Sequence, residues 1–167
     1  MDNSFSGKNE FLDSIFLFIT KDLIYILIFL FLLYFAKQIW RDKKIELIEF
    51  WIFFSSSIFA WILTKLIKIS FPTERPFLAL SGVVKLTNES VMSSFPSGHS
   101  TLAFALAVSV WIYNKKIGSC FLILAFMIAI SRVLAGVHYP LDIFVGAILG
   151  SIIPLTLGVY LKKKFKK

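Results

Sequence analysis

Residues 23–40, LIYILIFLFLLYFAKQIW, decide the fold. Up to Ala36 this run holds no charge, and as an α-helix it rises about 27 Å, close to the ~30 Å hydrocarbon core of a bilayer. The same near-uniform hydrophobicity recurs at Phe50 to Ile69, Ser100 to Tyr113, Ile117 to Leu134 and Leu141 to Leu161. The run from Ser100 is short for a full span, so its polar start is expected below the membrane surface, inside a protein-lined hollow. Upstream, Asn9 to Thr20 is apolar for about three turns and carries Glu10 and Asp13, too short to cross and suited to the interface. The expectation is an all-α integral membrane helical bundle with five to six transmembrane helices and a short N-terminal interfacial helix.

Composition agrees. Of 167 residues, 57% are hydrophobic and 19 are Phe, leaving too little polar surface to cover a water-soluble globule of this size. Five helices of ~20 residues already consume most of the chain, so a single membrane-embedded domain over residues 1–167 is expected. The net charge of +8 does not indicate nucleic acid, because Lys and Arg cluster at the ends of apolar runs instead of forming a basic stripe with interleaved aromatics. Cys120 is the single cysteine, which rules out an internal disulfide and any multi-cysteine metal site. Residues 1–21 lack a small-residue cleavage site after an apolar core and read as mature protein.

Lys37, Arg41, Lys43 and Lys44 follow the first span, Lys115 and Lys116 the third, and Lys162, Lys163, Lys164, Lys166 and Lys167 the fifth. These clusters share one face, which the positive-inside tendency makes cytoplasmic. Trp40, Tyr113 and Tyr160 are expected there as interfacial anchors, and the lysine tail as an anchor for anionic lipid heads. The opposite, extracytoplasmic face then carries three polar groups: Lys68 with Arg75-Pro76, Pro96-Ser97-Gly98-His99, and Ser131-Arg132 with His138 and Asp142. Ionisable side chains at membrane depth are costly unless paired or bound to an anion, so their convergence points to a functional pocket.

The chain has two histidines, and both lie in these groups. His138 and Asp142 are four residues apart at a helix start, where a carboxylate on the same face can fix the imidazole tautomer and leave the other nitrogen free to attack. The same spacing also describes a histidine capped by a nearby carboxylate. In Ser97-Gly98-His99-Ser100, glycine lets the backbone approach an anion and the coming helix N-terminus donates to it, with His99 placed to protonate a leaving oxygen. A plain turn and N-cap reads identically. Lys68, Arg75 and Arg132 supply the positive donors that phosphoryl transfer needs, against the alternative of snorkelling, which accounts for Lys65 and is open for Lys68. Arg132 follows the apolar run Phe121 to Ile130 with no carboxylate nearby in sequence, so a bound anion is an attractive partner.

In order, Lys68-x6-Arg75-Pro76, Pro96-Ser97-Gly98-His99 and Ser131-Arg132-x5-His138-x3-Asp142 resemble the three signatures of the type-2 phosphatidic acid phosphatase family, with no signature position departing. The resemblance covers Lys68 to Asp142 in motif and the flanks in hydropathy. It implies hydrolysis without a metal or other cofactor: His138 attacks phosphorus to form a phosphohistidine, His99 protonates the departing oxygen, Asp142 orients His138, and Lys68, Arg75, Ser97, Gly98, His99 and Arg132 contact the phosphate. Family members usually have six spans, so one is expected to be missing at the start of this chain. The opening Asn9 to Ser14 and the stretch Gly136 to Pro140 look most like small bacterial undecaprenyl-diphosphate phosphatases, which implies a bacterial inner membrane and an active site facing the periplasmic side.

The same core is similar to phosphatidylglycerophosphate, phosphatidic acid and lipid A 1-phosphatases, and specificity is expected to depend on Phe77 to Phe95. The implied partners are a lipid phosphate substrate and membrane lipids, with no nucleic acid and no obligate protein partner. A phosphotransferase would carry the same signatures. A transporter or channel is the different-class reading, since Arg and Lys also line anion pores.

Overall fold

In the computed structural model the described residues are 10–41, 45–81, 83 and 93–165. Every element among them is helical: α1 (Glu10–Lys21), α2 (Leu23–Arg41), α3 (Ile45–Ser70), α4 (Pro76–Ala79), α5 (Gly98–Tyr113), α6 (Lys115–Leu134) and α7 (Pro140–Phe165). Four are long and apolar enough to cross a membrane, over Leu23–Trp40, Leu47–Ser70, Lys115–Leu134 and Pro140–Tyr160, and Gly98–Tyr113 is a shorter apolar helix. The expected all-α bundle is therefore present, with its third apolar run the short helix Gly98–Tyr113. The chain is an integral membrane protein with many of its large apolar side chains turned outward. Phe29, Trp51, Phe59, Phe126 and Phe144 are all more than half exposed, as suits helices whose outer solvent is lipid.

α5 is the central element and packs on α2, α3, α6 and α7. Its residues Ala103, Ala105, Ala107 and Val110 are all fully buried, and small side chains let neighbouring backbones come close. α7 answers with glycines. A Cβ at Gly146 would lie 2.7 Å from the Ser97 carbonyl oxygen, and one at Gly150 only 2.2 Å from that of Thr101. Thr64 Oγ1 meets Thr101 Oγ1 at 3.0 Å, joining α3 to the same stretch of α5.

Away from the polar motifs the core is aromatic. Phe35 packs on Phe31 at 4.8 Å, on Phe50 at 5.6 Å and edge-on to Tyr113 at 5.7 Å. Tyr113, at the end of α5, is half-buried against Phe35 and Phe53, because α5 is enclosed by its neighbours. Trp40 and Tyr160 are exposed, as expected.

α1 leads into α2 through a turn at Asp22 and packs on α2 and α6. Its 12 residues span about 18 Å, short of a crossing. Asn9, Lys43, Lys44, Lys166, Lys167 and most of the expected specificity stretch (82 and 84–92) lie outside the described residues.

Candidate active site

At one end of the bundle the last turn of α3, the segments 71–79 and 93–97, the N-terminus of α5, the C-terminus of α6 and the start of α7 come together. Chain geometry brings them there in identifiable steps. α6 stops at Leu134 because the backbone turns at Gly136, whose φ of 70° lies in the left-handed region that glycine enters without a Cβ clash. The chain curls back so that the N–H groups of Val137 and His138 both donate to the Arg132 carbonyl at 3.3 Å. Pro140 then opens α7, a position where its missing N–H costs nothing.

His138 and Asp142 face each other across that first turn, with Nδ1 3.3 Å from Oδ2. The same carboxylate oxygen accepts from Tyr139 N–H at 2.8 Å and from the hydroxyl of Ser94. His138 and Asp142 are each about 3% exposed. Burial is the main cause that lowers the His138 pKa from 6.5 to about 4; the Asp142 hydrogen bond opposes it, and the positive charges of Arg132, Arg75 and Lys68 push in the same direction as burial. His138 is thus a neutral base with all three cations within electrostatic reach.

Each cation is buried and fixed by backbone carbonyls. Lys68 Nζ donates to Ser93 O at 2.7 Å and Ser94 O at 2.9 Å, Arg75 Nη1 to Val137 O at 2.9 Å, and Arg132 Nη1 to Thr20 O at 3.0 Å. Lys68 therefore turns inward and does not snorkel. Arg132 has no solvent exposure, and its side chain reaches the last turn of α1.

Ser97 caps α5: its Oγ accepts from Ser100 N–H at 3.4 Å and from Ser100 Oγ at 3.1 Å. Its own N–H donates to the Asp142 carbonyl at 3.0 Å, so the starts of α5 and α7 are bonded main chain to main chain. Gly98 and His99 follow and are half-buried. A Cβ at Gly98 would stand in ordinary van der Waals contact with Trp61, 3.6 Å from Nε1, at a helix N-terminus of the kind that favours an anion.

The residues singled out in sequence thus gather at one end, with His99 half-buried at the start of α5 and Lys68, Arg75, Arg132, His138 and Asp142 buried. Sequence reading missed Ser94 and the seam that places it. Ser94 N–H donates to Thr73 O at 2.9 Å, Phe95 N–H to Thr73 Oγ1 at 2.9 Å, and Ser93 Oγ to Phe71 O at 2.9 Å. Nothing in the local sequence signals that pairing, because it joins stretches about twenty residues apart.

A buried neutral histidine on a carboxylate, among three fixed cations and beside a helix N-terminus, is an arrangement whose chemistry suits a multiply charged anion. The sequence pattern of the PAP2 superfamily matches residues 49–166, and the chain belongs to that superfamily. It is 41% identical over 93 residues to the bacitracin transport permease protein BcrC of Bacillus licheniformis, covering 56% of this chain and 46% of that one. Over 150 residues it is 32% identical to the undecaprenyl-diphosphatase BcrC of Bacillus subtilis, covering 89% of this chain and 74% of that one. The crystal structure of Aquifex aeolicus LpxE superposes with a TM-score of 0.72 at 26% identity, over 92% of this chain and 88% of that one.

Proposed function

We propose that this membrane lipid phosphatase removes the terminal phosphate of a lipid diphosphate, with undecaprenyl diphosphate as the first-ranked substrate. The observation that carries the reading is the buried His138–Asp142 pair at 3.3 Å within reach of three cations. Family membership and a relative named undecaprenyl-diphosphatase aligned over most of both chains support it.

With Nδ1–H donated to Asp142, the Nε2 lone pair of His138 attacks phosphorus and the bridging P–O bond breaks. His99 gives its proton to the departing oxygen of the lipid monophosphate. Water, deprotonated by His99, then attacks the phosphohistidine and releases inorganic phosphate, returning His138 to its neutral form. Lys68, Arg75 and Arg132, with Ser97 and the N–H groups at the start of α5, hold the equatorial oxygens, where charge accumulates in the transition state. The basic residues at the other end, Lys37, Lys115 and Lys116, support an extracytoplasmic active site.

Purified protein in detergent containing EDTA, offered undecaprenyl diphosphate, phosphatidylglycerophosphate, phosphatidic acid and lipid A side by side, should release phosphate fastest from the first. His138→Ala should release none. Failure on every lipid would overturn the hydrolase reading, and faster release from another lipid would replace the substrate. A transport role, which the name of the B. licheniformis relative carries, predicts anion flux into liposomes that survives His138→Ala.

A further inference from the structure

We propose that Ser94 is a positioning residue for the reaction, its hydroxyl holding the Asp142 carboxylate that orients His138 while its backbone carbonyl holds the ammonium of Lys68. Ser94 has no solvent exposure. Its Oγ–H donates to Asp142 Oδ2, the oxygen that also faces His138 Nδ1 and accepts from Tyr139 N–H. Its carbonyl accepts from Lys68 Nζ at 2.9 Å, and its N–H is pinned to Thr73 O. One residue therefore joins the support of the nucleophile to the support of a phosphate-binding cation. Ser94 lies outside the three signature motifs.

The two bonds have different consequences. The Lys68 contact uses the main chain and survives any side-chain replacement, so phosphate binding should persist in a variant that loses the hydroxyl. The Asp142 contact uses the side chain. Without it the carboxylate is held by Tyr139 N–H and His138 alone, so its orientation loosens and a larger share of its charge falls on the imidazole. The other charged groups acting on His138 are Arg132 of α6, Arg75 ahead of α4 and Lys68 of α3, and all remain in place. The expected signature is a change in turnover and in the His138 titration, with little change in KM.

The inference rests on the reading of His138 as nucleophile, so the experiment has two arms. In the kinetic arm, Ser94→Ala should lower kcat about 10- to 100-fold, the size expected for one lost hydrogen bond to a charged group, with KM within about twofold. Ser94→Thr, which keeps a hydroxyl, and Ser94→Cys, which keeps the volume with a weaker donor, should recover part of the loss. In the second arm, 15N-histidine labelling gives two imidazoles, since the chain has only two histidines, and His99→Gln assigns them. The His138 titration should move upward in Ser94→Ala. A packing role alone would lower the melting temperature and leave that titration in place. Wild-type kcat together with an unmoved titration in folded Ser94→Ala overturns the proposal. Absence of phosphate release by the wild-type protein would overturn the hydrolase reading instead, and the titration would still decide the role of Ser94.

Discussion

Arg132 Nη1 donates to the carbonyl oxygen of Thr20 at 3.0 Å, joining residues 112 positions apart. The carbonyl belongs to the last turn of α1, where intrahelical donors run out and carbonyls are left to seek other partners, so the short N-terminal helix braces a guanidinium that has no solvent exposure. Arg132→Lys keeps the charge but loses the planar fork that can bind a carbonyl and a phosphate together. Phosphate release should fall roughly 10²- to 10³-fold, the scale for losing one preorganised transition-state donor. A rate within threefold of wild type would remove Arg132 from the proposed phosphate ligands.

Asp142→Asn preserves shape while removing the charge that selects the Nδ1–H tautomer of His138. Turnover should fall on the order of 10³-fold or more, by analogy with tautomer loss in a catalytic triad, while the variant still binds substrate. Equilibrium binding of the lipid measured beside single-turnover rates separates the two effects.

The pH dependence follows from His138, whose pKa burial and the neighbouring cations lower to about 4. Above that value the imidazole is unprotonated and able to attack, so the acid limb of kcat/KM attributable to it should lie well below pH 6.5. For stability, the unfolded imidazole takes a proton near pH 6.5 and the folded one only near 4, so the unfolded state binds more protons between these values. Stability is therefore lost as pH falls from 6.5 to 4, by up to about 3 kcal/mol. His138→Gln should remove that contribution, measurable as the difference between the pH profiles of the two melting temperatures.

Three glycines should part company. Gly150→Ala puts a methyl 2.2 Å from the Thr101 carbonyl oxygen and forces α7 away from α5, at a cost of about 1–3 kcal/mol; melting temperature and activity should drop together. Gly146→Ala, at 2.7 Å from the Ser97 carbonyl oxygen, should do the same more mildly. Gly98→Ala meets nothing closer than 3.6 Å, so the melting temperature should hold while activity falls, because the methyl stands at the α5 N-terminus proposed to receive the phosphate. Full activity in Gly98→Ala would remove Gly98 from the proposed phosphate contacts.

Much of this molecule was legible in its sequence because a bilayer imposes a length and a polarity on every span. The runs at residues 23–40 and 117–134 had no alternative reading, and the motif residues stood out as polar groups at helix ends. Lys68 was ambiguous: the same residue on the same helix can reach the interface or the interior, and residues 93–94 folding over it decide between the two. The Arg132 partner was invisible because it is a backbone carbonyl, which every residue carries. Ser94 was hidden for a similar reason, its acceptor lying 48 residues away. The half-burial of Tyr113 was invisible because the sequence of one helix does not show that four others, α2, α3, α6 and α7, pack around it.

The bond from Ser97 N–H to the Asp142 carbonyl makes the lips of two helices a single solid jaw. Heat or harsh detergent that pries them apart strips the proposed nucleophile of its brace and the proposed phosphate site of its donors in the same event. Inactivation should accordingly proceed in one step, without a species that still captures lipid headgroups after it has ceased to cleave them.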